Sequence, residues 1–245
     1  MKRSALNAFM TIKRKGHLGP YKAGYHINGI DLFADIRQFL LKEEFKVVFD
    51  VGANIGQSTE QMACAFPVAQ IYSFEPIFDS FMKLKHAVAA LPNVNIYNIG
   101  LSSCIGQAAF ASPGRSTRFR VSADGIGVMA QLETVDHFCQ SHAVGEICLL
   151  KIDTEGHDLD VLKGAQQMLS SGLVNMVLAE CSMNPANDSH VPFSEIYEHL
   201  TKFGFALFGF YEQVREWPTR EPHLRRCNVC FISQKVIMRN RYNVR

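Results

Sequence analysis

The 245-residue sequence lacks a long apolar run and lacks a large excess of charge of either sign. Crossing a bilayer takes about 20 consecutive apolar residues, and residues 1–7 do not form the apolar core of a secretory leader. We therefore expect a cytoplasmic protein with no stable membrane insertion. The net charge is only +2, and the basic residues near the two ends are not interleaved with aromatic side chains. This pattern predicts no nucleic-acid partner.

The sequence also lacks the paired cysteines of a disulfide framework. It has seven cysteines, an odd number, and most lie in apolar segments, which favours reduced and buried thiols. Cys227 and Cys230 form a CxxC pair in a segment typical of a strand. Positions three apart on a strand face opposite sides of the sheet, so this spacing disfavours a zinc or redox site.

What the sequence does contain is a strand that ends in a glycine-rich turn. The apolar run before Asp50 predicts a buried strand, and the turn that follows carries Gly52 and Gly56. Gly52 would let the chain turn sharply and let a ligand approach, and Gly56 would let the next helix lie close to the strand. This arrangement predicts a nucleotide-type pocket.

Strand and helix patterns alternate along the rest of the chain. They predict an α/β fold: a doubly wound, mostly parallel seven-stranded sheet with helices on both faces and an antiparallel last strand. One strand is expected over 174–179, and one helix over 159–169. We divide the chain into an N-terminal helical extension or lid (1–45), the α/β domain (46–235) with an inserted β-rich region (104–132), and a basic tail (236–245).

Four predicted strands of this sheet end in an acidic residue: Asp50, Glu75, Asp153 and Glu180. Ligands of open α/β sheets bind at the carboxyl edge of the strands, so these acids are expected to face one crevice. The alternative for any one of them is capping of the helix that follows.

Glu75 and Asn54 indicate the kind of ligand. Glu75 lies where a nucleoside site places an acid to accept hydrogen bonds from the ribose hydroxyls. Asn54 replaces the middle glycine of a GxGxxG turn, which disfavours a pyrophosphate. S-adenosylmethionine has ribose and no pyrophosphate, and Asp50 is expected to attract its cationic end.

Three blocks of the sequence resemble the FkbM family of methyltransferases: residues 50–56 (DVGANIG), residues 74–76 (FEP) and residues 151–157 (KIDTEGH). The resemblance covers about residues 47–233, and Val135 departs from the Thr-Leu-Asp that the family usually carries. It implies a Rossmann-like class I methyltransferase fold. It also implies an enzyme that methylates a hydroxyl of a sugar, glycolipid or polyketide-like small molecule with S-adenosyl-L-methionine.

From these blocks we expect twelve cofactor contacts: Asp50, Gly52, Ala53, Asn54, Gly56, Gln57, Ser58, Glu75, Pro76, Gly100, Leu101 and Asp153. His157 is the candidate general base because an imidazole titrates near neutral pH, and Asp153 and Glu155 complete the catalytic set. The alternative is that His157 hydrogen-bonds Asp153 or Glu155 and only shapes the loop.

Two further assignments concern a metal ion and the acceptor. Asp153, Glu155, His157 and Glu180 would be compatible with a divalent metal, but we assign no metal ligand. The acceptor, a small molecule or glycan hydroxyl, is expected among residues of late loops, although packing against the core is the alternative for them: His190, Tyr211, Glu212, Gln213, Arg215 and Trp217.

Two other functions are compatible with the fold class. An NAD-dependent oxidoreductase would need the bare glycine turn that Asn54 interrupts, and a non-catalytic S-adenosylmethionine-binding module would keep the turn without turnover. A homo-oligomer is also compatible with the sequence.

Overall fold

The computed structural model of the chain describes residues 28–111, 120–122 and 124–241. The first 27 residues of the expected N-terminal extension therefore lie outside the described residues. The described helices are α1 (Leu32–Phe39), α2 (Gln57–Ala65), α3 (Phe78–Ala87), α4 (Val135–Ser141), α5 (Asp158–Lys163), α6 (Gln166–Ser170), α7 (Phe193–Thr201) and α8 (Gln234–Arg239). None of these described helices is long and apolar enough to cross a membrane.

The strands form two sheets. Their bounds are β1 (Val47–Val51), β2 (Gln70–Phe74), β3 (Val94–Tyr97), β4 (Gly100–Leu101), β5 (Gly106–Ala111), β6 (Arg120–Val121), β7 (Val128–Glu133), β8 (Leu149–Ile152), β9 (Met176–Ser182), β10 (Phe205–Arg215) and β11 (Leu224–Ser233). The main sheet has the order β10-β11-β9-β8-β1-β2-β3.

The main sheet is parallel from β3 to β9, and β11 is antiparallel to both β9 and β10. The expected seven-stranded, mostly parallel sheet with an antiparallel last strand is therefore confirmed. The chain order reverses between β1 and β8, so a crevice opens at the carboxyl ends of these two strands.

Each face of the main sheet is covered by helices because alternate strand residues point to opposite sides. Phe49 packs in one core with residues of α4 to α7, where the Phe138 ring meets Phe74 edge-on with centroids 4.7 Å apart. Val48, the preceding residue, packs in the other core with residues of α1, α2 and α8.

The smaller sheet has the order β4-β7-β5-β6 and corresponds to the inserted β-rich region. It begins earlier than expected, at Gly100, because β4 pairs in parallel with β7. Phe110 and Leu132 form a small apolar core of this sheet and also line the crevice of the main sheet. The insert therefore forms one wall of the crevice.

Other segments also differ from their expected bounds. β9 runs on to Ser182, so Glu180 lies within the strand rather than after it, because pairing with β11 continues to the Arg226–Ser182 pair. The tail expected from residue 236 begins inside α8, whose Val236 is buried in the core.

The helix expected over 159–169 is two helices, α5 and α6, which meet at Gly164 and Ala165. A Cβ at Gly164 would lie 2.0 Å from the Ser102 carbonyl oxygen, so the loop after β4 packs closely against the chain there. The Asp136 carboxylate accepts from the backbone N–H groups of Gln167 and Met168, which begins the second helix.

Helix α1 is attached to the sheet by a buried polar contact. The Tyr211 hydroxyl of β10 donates to Asp35 Oδ2 at 2.8 Å, and the Gly29 N–H donates to the same oxygen at 2.7 Å. Tyr211 and Asp35 are only 3% and 2% exposed. Because the contact is buried, it holds α1 in a defined position beside the crevice.

We expect Tyr211→Phe to lower the free energy of unfolding by roughly 1–2 kcal/mol, since it removes one donor from a buried carboxylate. Urea denaturation monitored by circular dichroism would measure the change. Tyr197→Phe, on the exposed side of α7, is the matched control and should change stability by less than about 0.5 kcal/mol. Equal stability of the two variants would contradict this role of Tyr211.

Candidate active site

A cavity of about 960 Å³ lies at the carboxyl edge of the main sheet. Its walls come from α1, the loop after β1, the turn after β2, β4, the loop after β8, and the edge formed by β9 to β11. Most of the expected cofactor residues line it: Gly52, Ala53, Asn54, Gln57, Ser58, Glu75, Pro76, Gly100, Leu101 and Asp153. The structure therefore brings them to one site.

The loop after β1 is shaped by neighbouring backbone. Gly52 has φ +81°, and a Cβ there would lie 2.0 Å from the Asp153 carbonyl oxygen at the end of β8. Asn54 also adopts a left-handed conformation, with φ +50°, and its N–H donates to Glu75 Oε2 at 2.9 Å. The loop is consequently fixed to the ends of both strands that flank β1.

Two expected cofactor contacts do not line the cavity. A Cβ at Gly56 would meet Leu84 at 3.1 Å and Ala87 at 3.3 Å, so this glycine accommodates α3 rather than the strand or a ligand. Asp50 is fully buried beneath the cavity, where it accepts from the hydroxyls of Ser58 and Thr59. We expected Asp50 to attract the ligand directly, but the structure gives it a structural role.

Glu75 projects into the cavity wall while each of its oxygens accepts one backbone N–H. Oε1 accepts from Ile77 and Oε2 from Asn54, both at 2.9 Å. Burial raises the pKa of Glu75 to about 7 despite these two bonds. Each carboxylate oxygen has a second lone-pair direction, so the group keeps acceptor capacity for hydroxyl donors.

Lys151 holds two of the acids together, and the sequence assigned it no role. Its Nζ lies 3.1 Å from Asp50 Oδ1 and 3.4 Å from Asp153 Oδ2. Burial opposes its charge, but the two carboxylates outweigh this effect and raise the pKa of Lys151. Burial likewise favours the neutral form of Asp153, yet Lys151 lowers the pKa of that acid. A lysine inside the apolar run of β8 is the feature that could have revealed this pair.

The His157 imidazole lines the cavity between two partners that the sequence did not identify. Its Nε2 lies 3.0 Å from Ser102 Oγ and its Nδ1 lies 3.2 Å from Asp160 Oδ2. Burial lowers the pKa of His157, although Asp160 acts in the opposite direction. The imidazole is therefore suited to being neutral near pH 7, with Nδ1 facing the Asp160 carboxylate. The expectation that Asp153 or Glu155 orients this ring is not what the structure shows.

Glu155 and Glu180 lie close to a different histidine, His190. The distance from His190 Nε2 is 2.8 Å to Glu180 Oε2 and 3.7 Å to Glu155 Oε2. The second Glu180 oxygen pairs with the Arg226 guanidinium. From the sequence, these acids were grouped with His157 as residues compatible with a divalent metal. In the structure, Glu155 and Glu180 lie beside His190 instead.

The expected acceptor residues divide into two groups. Tyr211 and Glu212 line the cavity, and Asn228, which the sequence did not suggest, donates to Glu212 Oε2 at 2.9 Å. Trp217 is 71% exposed and outside the cavity lining, as are Gln213 and Arg215. Gln213 and Arg215 lie at the end of strand β10, and Trp217 follows it.

Residues 50–207 match the model of the methyltransferase FkbM domain. The chain belongs to this family. The match contains the glycine loop, Glu75, Lys151 and His157, so the FkbM domain includes most of the residues that form the cavity. The resemblance noted in the sequence is therefore confirmed.

Two curated proteins are similar to this FkbM-family chain. It is 35% identical over 151 residues to the hexuronic acid methyltransferase AglP of Haloferax volcanii, which covers 60% of this chain and 61% of AglP. It is 20% identical over 184 residues to the 2-O-methyltransferase NoeI of Sinorhizobium fredii, which covers 67% of this chain and 74% of NoeI.

Solved structures share only a loose overall similarity. One is a TehB-like SAM-dependent methyltransferase from Corynebacterium glutamicum, with a TM-score of 0.44 and 8% identity over 95% of this chain and 97% of that chain. The family assignment therefore depends on the sequence match and not on this structural likeness.

In this FkbM-family chain, we expect Lys151→Met to lower the free energy of unfolding by about 3–5 kcal/mol, because it leaves the buried Asp50 and the partly exposed Asp153 without their cation. Lys202→Met is the matched control, since Lys202 forms a solvent-exposed ion pair with Glu198 at 3.1 Å. The control should cost less than about 1 kcal/mol. Denaturant titration of both variants would measure the difference, and similar losses in the two would disprove the central role of Lys151.

Proposed function

We propose that this chain transfers a methyl group from S-adenosylmethionine to a hydroxyl oxygen of a sugar-containing acceptor. The observation that carries the proposal is the presence, in one cavity, of the Gly52–Asn54 loop, the Glu75 carboxylate and a His157 imidazole oriented by Asp160. Membership of the FkbM family supports the same chemistry.

The residues of the loop and of Glu75 fit the cofactor. Gly52 leaves the backbone bare, and the two Glu75 oxygens can each accept one ribose hydroxyl in addition to their backbone donors. Asn54 Oδ1 is buried without a hydrogen-bond partner among the described residues, so it offers one more acceptor to a ligand donor. When bound, S-adenosylmethionine would supply a methyl group activated by its sulfonium.

His157 would act as the general base. The Asp160 carboxylate beside Nδ1 favours a proton on that nitrogen, so Nε2 would carry the basic lone pair, and Ser102 is close enough to donate to it. The acceptor oxygen would take the methyl group, and the sulfur would keep the electron pair of the broken S–C bond as a thioether. The acceptor proton would move to His157 Nε2, and the nearby Asp160 carboxylate would stabilise the resulting imidazolium.

The acceptor side of the cavity is polar. Glu212, Asn228 and Arg226 from β10 and β11 present carboxylate, amide and guanidinium groups to it. Such groups hydrogen-bond the several hydroxyls of a sugar ring. AglP is named for a hexuronic acid and NoeI for methylation of a 2-oxygen, and both names support an oxygen of a carbohydrate as the acceptor atom.

We expect S-adenosylmethionine affinity to depend on pH through Glu75. The ribose hydroxyls donate to the ionised carboxylate, whereas burial raises the pKa of Glu75 in the free protein to about 7. Below this pH the carboxylate must lose a proton before binding, so Kd should rise by up to about tenfold per pH unit, and it should be flat above it. Calorimetric titration between pH 5.5 and 8.5, values chosen to span about one and a half units on each side of this pKa, would measure the slope.

Glu75→Gln is the matched variant for that titration, because it keeps the shape and removes the ionisation. It should bind more weakly at pH 8 and show no slope between these pH values. An identical slope in Glu75→Gln would refute the assignment of Glu75. Tight binding of NAD with no binding of S-adenosylmethionine would refute the proposed function itself.

Turnover should depend on His157. With methyl-labelled S-adenosylmethionine and a panel of uronic acids and neutral glycosides, His157→Ala should lower kcat by about 10²–10⁴. Cofactor affinity should stay within about twofold, because His157 acts on the acceptor. Transferred label should survive mild alkali, since an ether resists it and a methyl ester is hydrolysed.

His137→Ala is the control for that experiment, because His137 is an exposed histidine on α4. It should keep wild-type turnover. Asp160→Asn, which keeps the ring contact but removes the negative charge, should give an intermediate kcat. Full turnover by His157→Ala would rule out the imidazole as the base.

A further inference from the structure

We propose that Glu155, Glu180 and His190 form a binding site for one divalent cation at the acceptor end of the cavity. A Mn²⁺ or Mg²⁺ ion fits the chemistry of two carboxylates and one imidazole. Its role in methyl transfer depends on the function proposed above, but its binding does not.

The three side chains converge from separate segments. Glu155 lies in the loop after β8, Glu180 on β9, and His190 in the loop before α7, and one ligand atom of each lies within 4.8 Å of the others. A cation placed among them would be within reach of all three after small side-chain movements. Glu155 and Glu180 also line the cavity, so a bound cation would face the acceptor.

The second observation is the state of the buried atoms. Glu180 and His190 are only 4% and 7% exposed. Although Glu180 Oε2 and His190 Nε2 lie 2.8 Å apart, neither makes a hydrogen bond of acceptable geometry with any described residue. Two buried polar atoms aimed at the same point without such a bond are costly, and a shared cation would satisfy both.

The surroundings of His190 match those of a metal ligand. Its Nδ1 lies 3.1 Å from Asn187 Nδ2 and 3.4 Å from Asn187 Oδ1, so the buried amide fixes the ring from behind. Metal-ligating histidines usually have such a partner at the second nitrogen. Gly156, with φ +102°, keeps the Glu155 loop close, because a Cβ there would lie 2.8 Å from the Ser189 carbonyl oxygen.

The charges of this region also favour a divalent cation. The cluster contains the carboxylates of Asp50, Asp153, Glu155 and Glu180, which face the two cationic side chains of Lys151 and Arg226. A divalent ion would reduce the repulsion among these neighbouring carboxylates.

A cation there would complement His157. It would hold the acceptor oxygen and stabilise the alkoxide that develops as the proton leaves. The same set of ligands would favour acceptors with neighbouring hydroxyl or carboxylate oxygens, because two such oxygens can coordinate one ion.

The experiment is a Mn²⁺ titration of the chelator-treated full-length chain, with free Mn²⁺ measured by electron paramagnetic resonance and no cofactor or acceptor present. We expect saturable binding of one Mn²⁺ per chain. Glu155→Gln and His190→Asn should each weaken it by at least about tenfold. His137→Asn, a change at an exposed histidine, should leave it unchanged.

Glu155→Gln keeps the side-chain volume, and circular dichroism would establish that both variants are folded. Absence of saturable binding to the wild type would overturn the site, as would unchanged binding in either folded variant. S-adenosylmethionine binding, titrated separately without metal, tests the proposed function. A chain that binds the cofactor but not Mn²⁺ contradicts only the cation site, and one that binds only Mn²⁺ contradicts the methyltransferase function.

Discussion

The buried contact of Lys151 with Asp50 and Asp153 is the interaction on which the site depends. It joins β1 to β8 at the point where the strand order reverses, and Asp50 also holds the start of α2 through Ser58 and Thr59. Removing charges from water is costly, and this cost is offset only because each partner is paired. The glycine loop is consequently fixed from below, without a ligand.

The cavity above this contact has two chemically different ends. At one end, Glu75 presents its carboxylate beside the bare backbone of Gly52, and burial raises the pKa of Glu75 to about 7. At the other end, the His157 imidazole lies beside Asp160, and Glu155 and Glu180 concentrate negative charge. The inserted sheet and α1 form side walls of this cavity.

Much of this arrangement could be predicted because it depends on local patterns. The periodicity of apolar residues predicts the strands of the main sheet, and the position of Glu75 after β2 predicts its place in the cavity. Ser102 could not be assigned, because its contact with His157 joins positions 55 residues apart in the chain. His190 was expected near the acceptor, but its contact with Glu180 depends on how the loop before α7 folds back onto β9. Asp50 was assigned to the ligand because its position at a strand end does not reveal how deeply it is buried.

The sequence by itself determined the layered fold, the glycine loop and the family, since each can be recognised from short runs of residues and the spacing between them. Only the tertiary structure decided which side chains form ion pairs or hydrogen bonds with one another. The register that places Asp50 opposite Lys151, and the loops that bring His190 to Glu180, follow from packing across the whole sheet. Coulomb and hydrogen-bond energies depend on distances of a few ångströms, and these distances exist only once the chain is folded.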